Sequence, residues 1–536
     1  MERLGNLLKS IDGKGYKAYK EISGKYKIKD LELEILNVQG DPFASPTLFE
    51  LTISLRGLLD NIELFNNKVR QVAFEDYLLR ELFEKIKLEN LENEIIIQKP
   101  SMEVLRRTAI NIKGEFLHIK YYMNLPAKGR NVLGHSALKK INDYALKIEG
   151  FLVGFDMKKA RKHVVLQENI EDLREQISKE KIKVFIGNGS ILKKDYILNS
   201  PKTLEKEFIL KNGEKIKGLC IKEGITVITG YDFQGKSTLL QAISRGIYNH
   251  IEGSGLEYLL TNREAVNIFA EKNRVIHGLD MSSFIKEENR ARHYDESCAS
   301  SLISQTANLL EAVEVGTPLL LIDEDTSVVN FLYRDKNLKN YLEGIEYSVP
   351  FIEKMKKIYA NYNISSIIVT SSIESFVNCA NTVILMKNYE LIDISNNIVK
   401  KEYSNTKDND FSITRRKVNV EKTLEDFQGK KYKFKTCGTN FISFGKEEIQ
   451  INSNNYIIDN GQLNFIGEVI KKIFSREELH EKTLREILET YERRFENEGI
   501  EEVLDTKNGM LTFARKYEIA LVINRFPKKL YIDEVW

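Results

Sequence analysis

Residues Gly230-Tyr231-Asp232-Phe233-Gln234-Gly235-Lys236-Ser237 fit the spacing G-x-x-x-x-G-K-[ST] at every fixed position. Such a loop turns a ring of backbone N–H groups toward an anion, and the helix that follows adds its positive end. Lys236 is expected to reach the β- and γ-phosphates of ATP. Ser237 is expected to ligate Mg2+, and Thr238 completes the phosphate-binding run. A second element, Leu319-Leu320-Leu321-Ile322-Asp323-Glu324, sets two acids after four apolar residues. Asp323, at the end of a strand, would hold Mg2+ through water. Glu324, one position further, is expected to orient and polarise the attacking water. A third element, Ser300-Ser301-Leu302-Ile303-Ser304-Gln305, opens a helical stretch. Its hydroxyls and amide either cap that helix or donate to a phosphate of a second nucleotide. Four cysteines and seven histidines are scattered without metal-ligand spacing, which argues against zinc and against a catalytic histidine.

These groups need elements to aim them. Ile225–Thr229, a β-branched run before the glycine loop, predicts a buried strand. From Thr238 onward Leu239, Leu240, Ile243 and Ile247 share one helical face. Further strands are predicted at Lys183–Ile186, Leu319–Ile322, Ser365–Thr370 and Thr382–Met386. Helical segments separate Ile225–Thr229, Leu319–Ile322, Ser365–Thr370 and Thr382–Met386, an alternation that predicts an α/β fold with a mostly parallel sheet. Residues 171–405 would form this central P-loop ATPase domain. An N-terminal α+β domain is expected over 1–170, with an alternating strand at Leu31–Leu36, a rigid loop at Gln39–Pro46 and helices at 137–149 and 168–180. Polar Lys400–Asp410 has no aliphatic residue and marks a linker. A small α+β domain over 412–536 would follow, with strands near Asn440–Phe444 and Tyr456–Ile458 and helices at 462–473, 477–496 and 514–525.

The chain of 536 residues is too long for one core, and its 42% hydrophobic and 29% charged content places it among ordinary globular proteins. No apolar run approaches the roughly 20 residues of a membrane-spanning helix. The first residues carry no apolar leader core, so a cytoplasmic location is expected. A net charge of +2 means that any nucleic-acid surface must come from local clusters. Candidates are Arg106-Arg107, Lys120-Tyr121-Tyr122, Lys128 with Arg130, Lys158–His163, Arg415-Arg416-Lys417 and Lys430–Lys435. Basic groups track phosphates and aromatics stack on bases. A strand with its aromatics inward and its lysines in water would look the same.

Several short motifs together resemble the predicted ATPases of the ABC class, a family with its own N- and C-terminal domains. They are Gly13-Lys14-Gly15-Tyr16-Lys17-Ala18-Tyr19-Lys20, Gln39-Gly40-Asp41-Pro42-Phe43-Ala44, Leu125-Pro126-Ala127-Lys128-Gly129-Arg130 and Asn188-Gly189-Ser190-Ile191-Leu192. The phosphate loop, Ser304–Asn308, Ile322–Ser327, Ala514-Arg515, Glu518–Ala520 and Asn524-Arg525 extend the resemblance over nearly the whole chain. It implies a head-to-tail homodimer with ATP sandwiched between subunits, Ser304 and Gln305 completing the opposite site. The sequence departs from the family pattern where Ser301, Leu302 and Ile303 replace a central Gly-Ser-Thr. Ser371 and Ser372 stand where transporters of this class carry a switch histidine. A hydroxyl can hydrogen-bond a γ-phosphate but cannot carry positive charge, so slow turnover is expected. The leading expectation is an Mg2+-dependent ATPase coupled to nucleic acid, RNA slightly ahead of DNA. The alternative is an ATP-controlled dimerisation switch read by a protein partner.

Overall fold

The computed structural model of the chain describes residues 1–56, 63–193, 196–286, 288–334, 347–371, 374–398, 411–413, 415–419, 433–451, 455–476, 479–527 and 531. The expected linker Lys400–Asp410, Ser372 and Lys430–Tyr432 lie outside these residues. The chain divides into two units, one of residues 1–168 and 498–513, the other of 169–497 and 514–536.

The first unit is an antiparallel sheet with helices. Strands β1 (Gly24–Ile28), β2 (Leu31–Asn37), β3 (Thr47–Ser54), β4 (Ile110–Lys113) and β5 (Phe116–Met123) pair in the order β1-β2-β3-β5-β4. In β2 the alternation seen in the sequence is realised: Leu31, Leu33 and Ile35 are buried while Glu32 faces water. Helices α1 (Glu2–Ile11), α2 (Lys68–Leu88) and α3 (Gly134–Val153) supply the rest of the core, and α4 (Met157–Lys179) carries the chain into the second unit.

The second unit is built on a six-stranded sheet. Its strands are β11 (Ile225–Thr229), β13 (Ala265–Ile268), β16 (Leu319–Asp323), β17 (Ser365–Thr370), β18 (Thr382–Lys387) and β19 (Glu390–Asp393), in the order β13-β16-β17-β11-β18-β19. Every neighbouring pair is parallel except the hairpin β18–β19. Such strands are covered on both faces, and Ile225, Val227 and Ile228 are fully buried, each worth about 1.5–3 kcal/mol of burial. The apolar face of α5 (Lys236–Arg245) packs inward through Leu239, Leu240 and Ile243, and the helix ends at Gly246, before Ile247.

A second, antiparallel sheet takes β6 (Ile182–Gly187), β9 (Glu205–Ile209), β10 (Lys215–Lys222) and β12 (Leu259–Thr261) in the order β9-β10-β6-β12. The segment Lys183–Ile186, predicted as a strand, belongs here. An apolar run of that length fits either kind of sheet, and only its partners decide. Between these strands lies a short hairpin, β7 (Ile191–Lys193) and β8 (Tyr196–Ile197). Strands β14 (Arg274–Leu279) and β15 (Tyr294–Ala299) form another antiparallel pair before α6 (Ser301–Val315).

Toward the C-terminus, β20 (Phe434–Cys437), β21 (Phe441–Phe444) and β22 (Glu447–Gln450) form a meander. Helix α7 (Phe351–Tyr362) precedes β17, and helices α8 (Asn460–Ile473), α9 (Leu484–Asn497) and α10 (Lys516–Ile523) follow the meander. Asp459 caps α8 by accepting from the Gln462 N–H at 3.1 Å. Tyr456–Ile458, predicted as strand, is irregular: Tyr456 is buried, with Arg515 stacked over its ring at 4.5 Å. No helix among the described residues is long and apolar enough to cross a membrane.

Candidate nucleotide site

The phosphate loop leaves the C-terminal end of β11 and returns as α5. Gly230 sits at φ +147°, where a Cβ would overlap the Met386 carbonyl. Gly235 sits at φ +92°, with a Cβ position 2.8 Å from the Tyr389 ring. Between them Tyr231, Asp232 and Phe233 stand in solvent, and Gln234 is half-buried. The Gln234 side-chain oxygen accepts from the Asn388 N–H, tying the loop to the β18–β19 hairpin. Lys236 is buried and folds back over its own loop. Its Nζ donates to the Gly230 and Tyr231 carbonyls at 2.8 Å each and lies 3.7 Å from Asp232. These are partners an incoming phosphate can replace.

Beside β11, across β17, the strand β16 ends on Asp323. Burial pushes the Asp323 carboxyl above its usual range, while the Asp325 N–H, the Ser237 hydroxyl and the Lys236 charge pull the other way. Ser237 Oγ donates to Asp325 Oδ2 at 3.4 Å, so the hydroxyl meets the acid two positions beyond the expected one. Ser237, Asp323 and Asp325 are all hard oxygen donors, which suits Mg2+. No cluster of three His, Cys, Asp or Glu residues that could hold a metal occurs among the described residues. Mg2+ held here would therefore complete its shell with phosphate oxygens and water, as this ion commonly does.

Glu324 is fixed by the end of β17. Its Oε2 accepts from Thr370 Oγ1 at 2.7 Å, the Ser371 N–H at 2.8 Å and Ser371 Oγ at 3.3 Å. Ser371 is thus brought to Glu324. Thr370 and Asp325 were not singled out in the sequence. Asp325 was visible there as the third member of an acidic run; Thr370 carried no signal beyond ending a strand.

Ser304 and Gln305 are placed differently from the rest. Both are 0% exposed. Ser304 Oγ donates to the Glu271 carbonyl at 2.7 Å and accepts from the Glu271 N–H at 2.9 Å. The Glu271 carboxylate in turn takes Arg525 Nε at 3.1 Å. Gln305 Nε2 donates to Ser327 Oγ at 2.8 Å, and its Oε1 accepts from the Val328 N–H at 2.8 Å. Both side chains are spent inside their own chain, on the segment that follows Asp323–Asp325 and on Glu271. The exposed start of α6 is Ser300, which caps the helix through the Ile303 N–H at 3.4 Å.

Several of the basic clusters are also interior. Lys120 is 1% exposed and ion-paired with Glu501, and its neighbour Tyr121 is fully buried. Glu50 lies 4.0 Å from the same ammonium; burial would raise its pKa, but His118, Lys120 and Lys507 hold it at about 2. Arg107 pairs with buried Asp76 at 3.1 Å, and Arg416 with buried Glu314. At the start of β20, Lys433, just before the strand, and Lys435 face solvent while Phe434 packs on Gly467. Lys128, Arg130, Lys158 and Lys159 are exposed.

Comparison with known proteins gives three matches in chain order. Residues 1–148 match the family described as ATPase of the ABC class, N-terminal. Residues 156–422 match the ABC ATPase P-loop domain, and residues 433–530 the MRB1590 C-terminal domain. A relative from Methanocaldococcus jannaschii, the uncharacterized protein MJ1628, is 33% identical over 199 residues, 35% of this chain and 43% of the relative. The chain therefore spans less than half of that relative's length. Among solved structures, cbiO1 from Clostridium perfringens, part of the ABC transporter complex cbiONQ, is 14% identical with a TM-score of 0.24, over 40% of this chain and 87% of that one. The ADP conformation of MJ1267, an ATP-binding cassette of an ABC transporter, is 13% identical with a TM-score of 0.23, over 39% and 89%. Likeness at those scores carries no weight of its own. The N-terminal and P-loop matches do carry weight: they name the same class, follow one another along the chain and together span most of it, so the chain belongs to the ATPases of the ABC class.

Proposed function

We propose that the protein hydrolyses ATP slowly, with Mg2+, at a site completed by a second copy in head-to-tail arrangement. The supporting observation is the convergence of Lys236, Ser237 and Asp323 at the end of the parallel sheet, with Glu324 held next to them by Thr370 and Ser371. Lys236 exchanges its two loop carbonyls for phosphate oxygens. Ser237 and Asp323, with Asp325, would hold Mg2+, which when bound would neutralise charge on the phosphates. Glu324 orients the attacking water, and its bonds to Thr370 and Ser371 fix its carboxylate before substrate arrives. With a serine in place of a cation after β17, the γ-phosphate meets a neutral donor, which supports slow turnover. The surface of α6 offered to a second copy is its exposed first turn at Ser300, since Ser304 and Gln305 are enclosed. Steady-state hydrolysis with and without a chelator tests this reading. Chelated protein should be inactive, and a rate at or above the ~10 per second of a typical enzyme would overturn slow turnover.

Coupling to nucleic acid, RNA ahead of DNA, rests on the exposed bases Lys128, Arg130, Lys158, Lys159, Lys433 and Lys435. The second reading, an ATP-controlled switch acting on a protein partner, is favoured by the burial of Lys120, Arg107 and Arg416. Binding of single-stranded RNA and DNA across a salt series separates the two. Affinity that falls steeply with salt supports nucleic acid, and no binding at ~50 mM salt supports the switch.

A further inference from the structure

Three motifs that the nucleotide site leaves unused fold into one place in the first unit. They are Gly13–Lys20, Gln39–Ala44 and Leu125–Arg130. The Ala127–Val132 hairpin takes Gly15 opposite Asn131. The Tyr16 N–H donates to the Arg130 carbonyl at 2.8 Å, and the Val132 N–H to the Lys14 carbonyl at 2.9 Å. Tyr19 is fully buried, and its hydroxyl donates to the Pro126 carbonyl at 2.6 Å. The middle motif joins through Gln39, which is 2% exposed. Its Oε1 accepts from the Tyr16 hydroxyl at 2.8 Å and the Leu125 N–H at 3.2 Å.

The other end of the same amide clamps a loop tip. Gln39 Nε2 donates to the Pro42 carbonyl at 3.2 Å and the Ala44 carbonyl at 3.0 Å, on either side of Phe43. Asp41 Oδ1 accepts from the Phe43 N–H at 3.1 Å, and Pro42 and Pro46 restrict the backbone further. The Phe43 side chain nonetheless stands 89% exposed. One exposed aromatic is ordinary. One whose backbone is fixed from both sides by a buried amide is a post, held out at a set position.

The ground around this post is basic. Lys14, Lys17, Lys20, Lys128 and Arg130 are exposed, and none has an ion-pair partner among the described residues. Of the acids in or beside these motifs, Asp12 accepts from the Gly134 N–H, Asp41 from the Phe43 N–H, and Glu21 follows Lys20. Clustered cations attract a polyanion. A phenyl ring has no hydrogen-bonding group, so it can offer that polyanion only a face. Bases in a duplex hide their faces in the stack, whereas bases in a single strand present them.

We propose that this surface of the first unit is a seat for single-stranded nucleic acid, with the Phe43 ring stacking on a base and Lys14, Lys17, Lys128 and Arg130 following the phosphates. The proposal rests on the nucleic-acid reading above and adds where the strand lies and which side chain holds a base. Stacking on a ring without donors or acceptors makes the seat tolerant of sequence.

The test is fluorescence anisotropy of the full chain with a labelled single strand of mixed sequence, about 12 nucleotides long, as RNA and as DNA, across a salt series. Phe43→Ala should weaken binding about 5- to 150-fold at every salt concentration and leave the salt slope unchanged. Phe43→Trp should bind at least as tightly as wild type, and Phe43→Leu, apolar but without a ring, should lose affinity as Phe43→Ala does. Lys128→Gln with Arg130→Gln should instead flatten the logarithmic salt slope by roughly 1–2. All these side chains are exposed, so melting and ATP hydrolysis should stay at wild-type values. The seat is overturned if Phe43→Ala or Phe43→Leu binds the strand as wild type does. If the Phe43 variants bind normally while Lys158→Gln with Lys159→Gln loses affinity, only the seat falls and the nucleic-acid reading stands. If wild type binds neither strand at ~50 mM salt, both fall. Phosphatidylserine vesicles form the last arm: vesicle binding that needs Phe43, with no strand bound, overturns the seat in favour of a lipid surface.

Discussion

The phosphate loop and the start of α6 are alike as sequences, small and polar residues leading into a helix, and the structure uses them in opposite ways. In the loop, Tyr231, Asp232 and Phe233 are exposed, and Lys236 donates to the carbonyls of Gly230 and Tyr231 and lies 3.7 Å from Asp232, all within the loop. In α6, Ser304 and Gln305 reach Glu271, Ser327 and Val328, and are sealed from solvent. A polar group bonded within its own flexible loop can trade partners with a ligand. One bonded to distant segments, and buried, would leave unsatisfied groups behind if it traded. The first arrangement is a receptor and the second is a strut.

The largest effect should come from the receptor side. Glu324→Gln keeps hydrogen bonds to Thr370 and Ser371 available but removes the carboxylate proposed to orient the water. Hydrolysis should fall roughly 100- to 10,000-fold while ATP binding persists, measured by single-turnover phosphate release beside equilibrium binding. Normal hydrolysis would remove Glu324 from its role. Lys236→Ala comes next: on the order of 100-fold weaker ATP binding, as charge-assisted bonds to phosphate are lost, with little change in thermal stability. A collapse of stability instead would make Lys236 a strut as well.

On the strut side the expected pattern reverses. Gln305→Leu leaves the Val328 N–H without its partner, removes the donor to Ser327 Oγ, and should destabilise the protein by about 1–3 kcal/mol, seen as a lower denaturant midpoint. ATP affinity should stay near the wild-type value. If binding fell and stability held, Gln305 would belong to the receptor class, and the contrast between the two helix starts would dissolve.

How much of this was legible in the sequence follows the same division. The phosphate loop is a local device, whose strand, glycines, lysine and helix lie within one short stretch, so its residues announced it. The acidic end of β16 was legible because four apolar residues preceded two acids. The fate of Ser304 and Gln305 was not, since Glu271, Ser327 and Val328 are brought to them only by folding. Lys120 looked like a surface base beside two tyrosines. Its carboxylate partner Glu501 lies far along the chain, and nothing near Lys120 marks it as interior. Tyr456–Ile458 was misassigned for a related reason: a short apolar run does not say whether it joins a sheet. The Asn388-Tyr389 turn was missed outright, because it lacks the glycine by which such turns are recognised.

The smallest effect bears on the boundary between the two classes. Ser300 is exposed, at the mouth of the buried helix, and its cap bond to Ile303 N–H is long at 3.4 Å. As a cap alone it is worth no more than ~1 kcal/mol. As the donor that α6 presents to ATP on a second copy, it adds one hydrogen bond across the dimer. Ser300→Ala placed on the Glu324→Gln background should then weaken ATP-driven dimerisation by about 2- to 10-fold, followed by sedimentation at graded protein concentration. Two serines four positions apart would in that case have opposite duties, the outer one facing a ligand and the inner one bracing Glu271. Dimerisation unchanged, with only the small stability loss, would extend the strut to the first residue of the helix and leave the phosphate loop to meet its partner copy through other groups.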